Sequence, residues 1–184
     1  MKTKSRPKAW SEAEYLSLNT NHLVELSDGC LEVVPMPTAI HQWIAIYLYN
    51  CLEAFAYPKW GLVLMAPFRV RLWAGKFREP DVVFMFNEHH QRTHNEYWEG
   101  ADLAMEVVSD DPQDRDRDLI VKRAEYARAG IPEYWIVDPQ LKQITVLALR
   151  GKKYEVVGEH KSGKARSRIL RGFSVEVASV FARM

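Results

Sequence analysis

Apolar positions along this chain form one long helical pattern and a series of short runs. Over 38–57, Ile40, Ile44, Leu48, Cys51, Leu52 and Phe55 recur at helical spacing. They predict one amphipathic helix with that face in the core, capped by Thr38 and closed by Pro58 and Gly61. A shorter helix over 12–18 starts at Ser11, with Glu14 completing a capping box. Between the two, strand-like runs over 22–26 and 30–34 flank Asp28-Gly29, a strong two-residue turn, and predict an N-terminal hairpin ended by Pro35 and Pro37.

The middle of the chain reads as a group of four strands, over 62–65, 68–73, from Asp81 to 86, and 102–108. The polar, aperiodic segment 87–100 reads as a surface loop. A helix is predicted over 114–129, stopped by Gly130 and Pro132. A buried strand over 134–137 follows, then a hairpin of 144–149 and 153–157 around Gly151, and a last helical piece within 175–183. Helices alternating with groups of strands predict an α/β (α+β) chain built on a mixed central sheet flanked by helices.

Composition narrows the class without naming a function. The chain has 184 residues, 47% of them hydrophobic and 27% charged, which fits one globular domain spanning 1–184. A chain of this length buries roughly 70% of its unfolded surface without staples. The formal net charge of +1 neither favours nor excludes nucleic acid. Cys30 and Cys51 form no disulfide framework, so reduced thiols and a cytoplasmic location are expected. No apolar run approaches the ~18 residues of a membrane span, and the basic N-terminus lacks the apolar stretch of a signal peptide. Glycine-rich phosphate-binding motifs are missing, so no nucleotide cofactor is expected.

Three residues stand out against this scaffold. Asp81 opens an apolar run behind Glu79-Pro80, and Glu106 lies inside another, Leu103 to Val108. Charged side chains are rarely buried without a partner. Alternation puts Asp81 on a face with Val83 and Met85, and Glu106 on a face with Ala104 and Val108. A shared cation would offset the cost of placing two carboxylates together, and hard oxygen ligands favour Mg²⁺ or Mn²⁺. The plain alternatives are an aspartate satisfying a turn and a glutamate pointing outward from an edge strand. Lys122 shares a helix stripe with Asp118, Leu119 and Tyr126. It either points into the site or forms an ordinary surface pair with Asp118.

The segments Glu79-Pro80-Asp81, Glu106 to Ser109, Asp118, Lys122, Tyr126 and Gly130 to Pro139, with Asp28-Gly29 and His41 upstream, resemble the Uma-type family of putative restriction endonucleases, in the PD-(D/E)XK nuclease superfamily. Gly130 to Pro139 is the most specific part. The resemblance implies a restriction-endonuclease-like core: a helix, a group of mostly antiparallel strands, a crossover helix and another strand. It also implies Asp81 and Glu106 as metal ligands. The superfamily pattern has lysine two positions after the glutamate, where Val108 stands here; the Uma-type pattern has it on the following helix, at Lys122. His41 would border the same cleft, or simply bond a nearby carboxylate.

The function implied is metal-dependent hydrolysis of DNA phosphodiester bonds, with Asp81, Glu106, Lys122 and His41 at the site and Mg²⁺ or Mn²⁺ as cofactor. The alternative is a non-catalytic module that keeps the nuclease fold and binds nucleic acid or protein. Cutting both strands of a duplex from one site per chain implies a homodimer. His89, His90 and His94, near Glu88 and Glu96, form a rival cluster for Zn²⁺. Basic residues at the two ends, Lys2, Lys4, Arg6 and Lys8, then Lys161, Lys164, Arg166, Arg168 and Arg171, suit either phosphate contacts or solvated surface.

Overall fold

The computed structural model of the chain describes residues 9–183, so Lys2, Lys4, Arg6 and Lys8 lie outside the described residues. Helix α1 (Glu12–Leu16) starts on the expected capping box: Ser11 Oγ accepts from Glu14 N, and Ser11 N donates to the Glu14 carboxylate. Strands β1 (Leu23–Ser27) and β2 (Cys30–Val34) form the hairpin. Its turn needs positive φ at both central residues, and Asp28 (50°) and Gly29 (83°) supply it.

Helix α2 (Ala39–Ala56) is capped by Thr38, whose hydroxyl accepts from His41 N. Ile44, Leu48 and Leu52 are buried as the spacing requires, but Ile40, in the first turn of α2, is exposed and lines a cleft instead of the core. Next come β3 (Gly61–Met65), β4 (Arg69–Trp73), β5 (Lys76–Arg78) and β6 (Val82–Phe86). Lys76–Arg78 is thus a strand of its own, and Asp81 lies just before β6 rather than within it. Segment 87–100 is no plain loop. It holds a 3₁₀ helix (Asn87–Arg92) and β7 (Tyr97–Glu99), which pairs in parallel with β4. Trp98 in this strand is buried, and that tertiary burial, not periodicity, secures it.

Strand β8 (Leu103–Val107) leads into the crossover: α3 (Pro112–Asp116), a π-helical turn (Arg117–Lys122) and α4 (Arg123–Ala129). The predicted single helix over 114–129 therefore carries a π turn at its centre. Strands β9 (Glu133–Asp138), β10 (Gln143–Arg150) and β11 (Lys153–His160) follow. The chain closes with β12 (Lys164–Arg166), β13 (Ser174–Glu176) and the short α5 (Val177–Val180). The last helical piece is shorter than the pattern suggested, because its first residues pair as β13.

The expected group of four strands is divided between two sheets. The main sheet has the order β11-β10-β9-β8-β6-β3, the smaller one β2-β1-β5-β4-β7. In the main sheet β3–β6 and β6–β8 are antiparallel and β8–β9 parallel, as a strand-to-parallel-strand crossover through a helix demands. Side-chain alternation gives this sheet two buried faces. Val82, Phe84, Leu103, Met105 and Trp135 pack under α2, while Val83, Met85, Ala104, Tyr134 and Ile136 pack under α4. No helix among the described residues is long and apolar enough to cross a membrane.

At Gly61 the edge strand β3 runs so close to β6 that an added Cβ would collide with the Met85 carbonyl and the Phe84 ring. Gly61→Ala is expected to lower stability by about 1–3 kcal/mol, the usual cost of overpacking. Leu62→Ala, at a position 40% exposed, should cost clearly less. Urea unfolding of the two variants side by side checks the contrast.

Candidate active site

Strand β8 lies between β9 and β6, so Glu106 does not point outward from an edge. It is 2% exposed and points to the α4 face. Two donors from the crossover reach it: Lys122 Nζ lies 2.9 Å from Oε2, and the Tyr126 hydroxyl donates to Oε1 at 2.5 Å. The register pairs Val82 with Met105, which sets Asp81 opposite Glu106 at the strand end. Asp81 Oδ2 accepts from Val107 N at 2.7 Å and lies 3.2 Å from His41 Nε2. The carboxylate beside the helix-start histidine is therefore Asp81 itself.

Lys122 also lies 3.2 Å from Asp118 Oδ1. This is the pair expected on a solvated face, but both residues are 3% exposed. They share a buried site, where water does not screen the charges. Asp81, Glu106, Lys122 and His41 thus all line one cleft of about 440 Å³. Its walls carry seven carboxylates against Arg117 and Lys122, with His41 between.

The electrostatics follow from that imbalance. Burial pushes the Glu106 carboxyl well above the ordinary carboxylate range; Lys122 opposes this, and repulsion from Asp81 and Asp118 adds to it. Burial likewise raises Asp118, against Lys122 and with Asp81. For Lys122, burial disfavours the ammonium, but Glu106, Asp118, Glu25 and Asp81 together outweigh it and hold the charge in place. His41 behaves similarly: burial opposes its charge, and the hydrogen bond and charge of Asp81 prevail.

A second layer of ion pairs stands behind the site. Arg78, 1% exposed, meets Glu25 at 2.6 Å, Glu125 at 2.7 Å and also Glu32. Lys76 joins Glu125 at 2.5 Å. Glu25 further accepts from Glu79 N at 3.0 Å, and the positive charge of Lys122 helps keep it ionised despite burial. This network ties β1 and β5 of the small sheet to α4, one turn past Lys122. Sequence reasoning passed over Glu25 and Arg78 and gave Tyr126 and Asp118 no part in the site. For Glu25 a signal was present, a glutamate inside the apolar run Leu23 to Leu26, the same signal that marked Glu106.

The segment Gly130 to Pro139 frames the crossover. Gly130 (φ 80°) ends α4, the Tyr134 hydroxyl donates to the Asp118 carbonyl at 3.0 Å, and Asp138 holds Arg115 of α3 at 2.6 Å. Glu133, fully buried, accepts from Trp135 Nε1 at 2.6 Å and from the backbone of Arg168 and Ile169.

The histidine cluster does not converge. His89 bonds Asp102 at 2.9 Å, His90 bonds the Asn87 carbonyl, and His94 faces Glu99 and stacks near Tyr97. Among the described residues no three His, Cys, Asp or Glu side chains stand together as a ready metal cage. Asp81 and Glu106 are two of the carboxylates that line the cleft.

A family model described as Uma2, putative restriction endonuclease, matches residues 10–178. The chain belongs to the Uma2 family. A search among curated proteins found no match. Among solved structures, this Uma2 chain is similar to the crystal structure of a putative nuclease belonging to DUF820 from Anabaena variabilis. The TM-score is 0.76 and the identity 16%, covering 94% of this chain and 98% of that one. That likeness shows the fold, and the restriction-endonuclease-like core expected from the sequence is the one found. The family and fold are those of a nuclease.

Within this Uma2 site, Arg78→Met should leave Glu25 buried without its guanidinium. Losing one partner of a buried pair typically costs about 3–5 kcal/mol. Chemical unfolding is expected to show a loss in that range, larger than for Arg71→Met, whose partners Glu12 and Glu99 are more exposed. Equal losses would mean that the Arg78 network is not a buried one in solution.

Proposed function

We propose that this Uma2 protein is a divalent-metal-dependent DNA endonuclease, with Mg²⁺ or Mn²⁺ held by Asp81 and Glu106. The observation that carries this reading is the meeting of both carboxylates, Lys122 and His41 in one acid-rich cleft. The donor set fits a hard cation. Its oxygens are carboxylate oxygens crowded together, and burial with Asp81 and Asp118 disfavours the charged form of Glu106, a penalty that a bound cation relieves.

When bound, the cation would supply Lewis acidity and neutralise phosphate charge. The chain's own residues do the rest. Val107 N–H and His41 fix the Asp81 carboxylate from two directions. The Tyr126 hydroxyl fixes Glu106 Oε1. Lys122 keeps a buried positive charge beside Glu106, and a preorganised cation of this kind would stabilise negative charge that grows on a phosphate in the transition state. His41 lines the cleft beside Asp81, whose carboxylate favours the protonated imidazole.

Asp81→Asn and Glu106→Gln should each abolish metal-dependent cleavage of plasmid DNA and weaken Mn²⁺ binding together, since each removes a charged oxygen from the set. Calorimetric Mn²⁺ titration beside a cleavage assay with Mg²⁺, Mn²⁺ and chelator decides it. Cation binding without cleavage of single- or double-stranded DNA would favour a binding module that keeps the fold.

A homodimer in solution goes with this reading, because two-strand cutting needs two sites. Exposed Met36 and Ile40 line the cleft, and Trp43 and Ile46 continue the apolar row along α2, so a second copy seated there would adjoin the site. Sedimentation at tens of micromolar (on the order of weak dimers) should show the dimer, and Trp43→Glu should dissociate it. A monomer both with and without DNA would remove the idea.

A further inference from the structure

Lys122 occupies the ground that a cation on Glu106 would need. Its ammonium is 2.9 Å from Glu106 Oε2 and 3.2 Å from Asp118 Oδ1, and all three residues are buried, at 2–3% exposure. Two positive charges on one buried carboxylate oxygen repel strongly. Either the cation is excluded or the ammonium gives way. At 3% exposure the ammonium already lies out of bulk water, so the nearest alternative partner is another carboxylate.

Asp118 offers a place to go. Its Oδ1 is buried and makes no aligned hydrogen bond, although Nζ lies close by. Charge attraction is thus present while a directional bond remains to be made. The backbone beneath Asp118 is fixed, since its carbonyl accepts from the Tyr134 hydroxyl within the π turn that carries both Asp118 and Lys122. A small rotation at the end of the lysine side chain would complete the bond to Asp118 and free Glu106 Oε2, while Tyr126 keeps Oε1 in place.

We propose that Asp118 is the positioning residue for Lys122, the carboxylate onto which the ammonium shifts when a divalent cation engages Glu106. Cation and lysine then share the site instead of excluding each other. This inference rests on the reading of Asp81 and Glu106 as the cation's ligands.

The test is a cycle of calorimetric Mn²⁺ titrations on the full chain: wild type, Asp118→Asn, Lys122→Met and the double variant. Asp118→Asn should weaken Mn²⁺ binding at least tenfold more when Lys122 is present than in the Lys122→Met background. The lysine, deprived of its second seat, then competes for Glu106. Loss of the charge at 118, or loss of a direct ligand there, would act equally in both backgrounds, so equal effects overturn the inference, as does no effect in either. Should Asp118→Asn fail to fold, the wild type itself suffices. Mg²⁺ added to lysine-labelled protein should shift the Lys122 ε-carbon resonance, and saturation with Mg²⁺ without that shift overturns the inference. Asp81→Asn serves as the control for the underlying reading. If it leaves Mn²⁺ affinity unchanged, the two-carboxylate site falls and this inference with it; if it weakens affinity while the cycle is additive, this inference alone falls.

Discussion

The ion pair between Glu106 and Lys122 is the contact on which the site depends. Glu106 is buried on an inner strand of the sheet, and an unpaired carboxylate there would be strongly disfavoured. Lys122 offsets that cost from the other side of the α4-facing layer. Lys122 is held in turn by Glu106 and Asp118, so the crossover helix is fixed over the strand by charge as well as by packing. Aromatic groups complete the arrangement. Tyr126 bonds Glu106, and Tyr134, edge-on to Tyr126, bonds the backbone of Asp118.

The small sheet serves the same end from behind. Glu25 and Arg78 bring charge of both signs to the back of the crossover, and Glu125 links them to α4. The net effect on Lys122 is additional negative field from Glu25. A buried network of this kind is weak evidence for stability, because desolvation cancels much of its attraction. Its value here is geometric, since it fixes where one turn of α4 lies relative to the strand ends. The Gly130–Pro139 segment, the most specific part of the family resemblance, acts likewise: its side chains hold α3, the π turn and the C-terminal segment, and only Pro139 of it lines the cleft.

The long helix, the hairpin turn and the two faces of the main sheet were all legible in the chain, because each is written in local periodicity or turn chemistry. Thr38 and Ile44, Leu48 and Leu52 give α2; Asp28-Gly29 gives the hairpin; alternation sets Val83 with Met85 and Ala104 with Glu106, and the strand register joins the two pairs on one face. The candidate site was legible for a different reason. A charge inside an apolar run, as at Glu106, conflicts with burial and demands a partner. Segment 87–100 misled because Trp98 is the one buried residue of a three-residue strand, too short for alternation to register.

What the sequence by itself determined is therefore the longer helices and strands and the alternation within each strand, both consequences of interactions within a few residues. Tertiary structure alone decided which strands share a sheet, sending β4 and β5 away from β3 and β6 to meet the N-terminal hairpin. It alone turned Asp118 and Lys122 from a pattern compatible with solvent into a buried pair, and brought His41 to Asp81 and Arg78 to Glu125. The physical reason is that burial and long-range charge pairing depend on what packs opposite a residue. That is set by the docking of the crossover and the second sheet, tens of residues away along the chain.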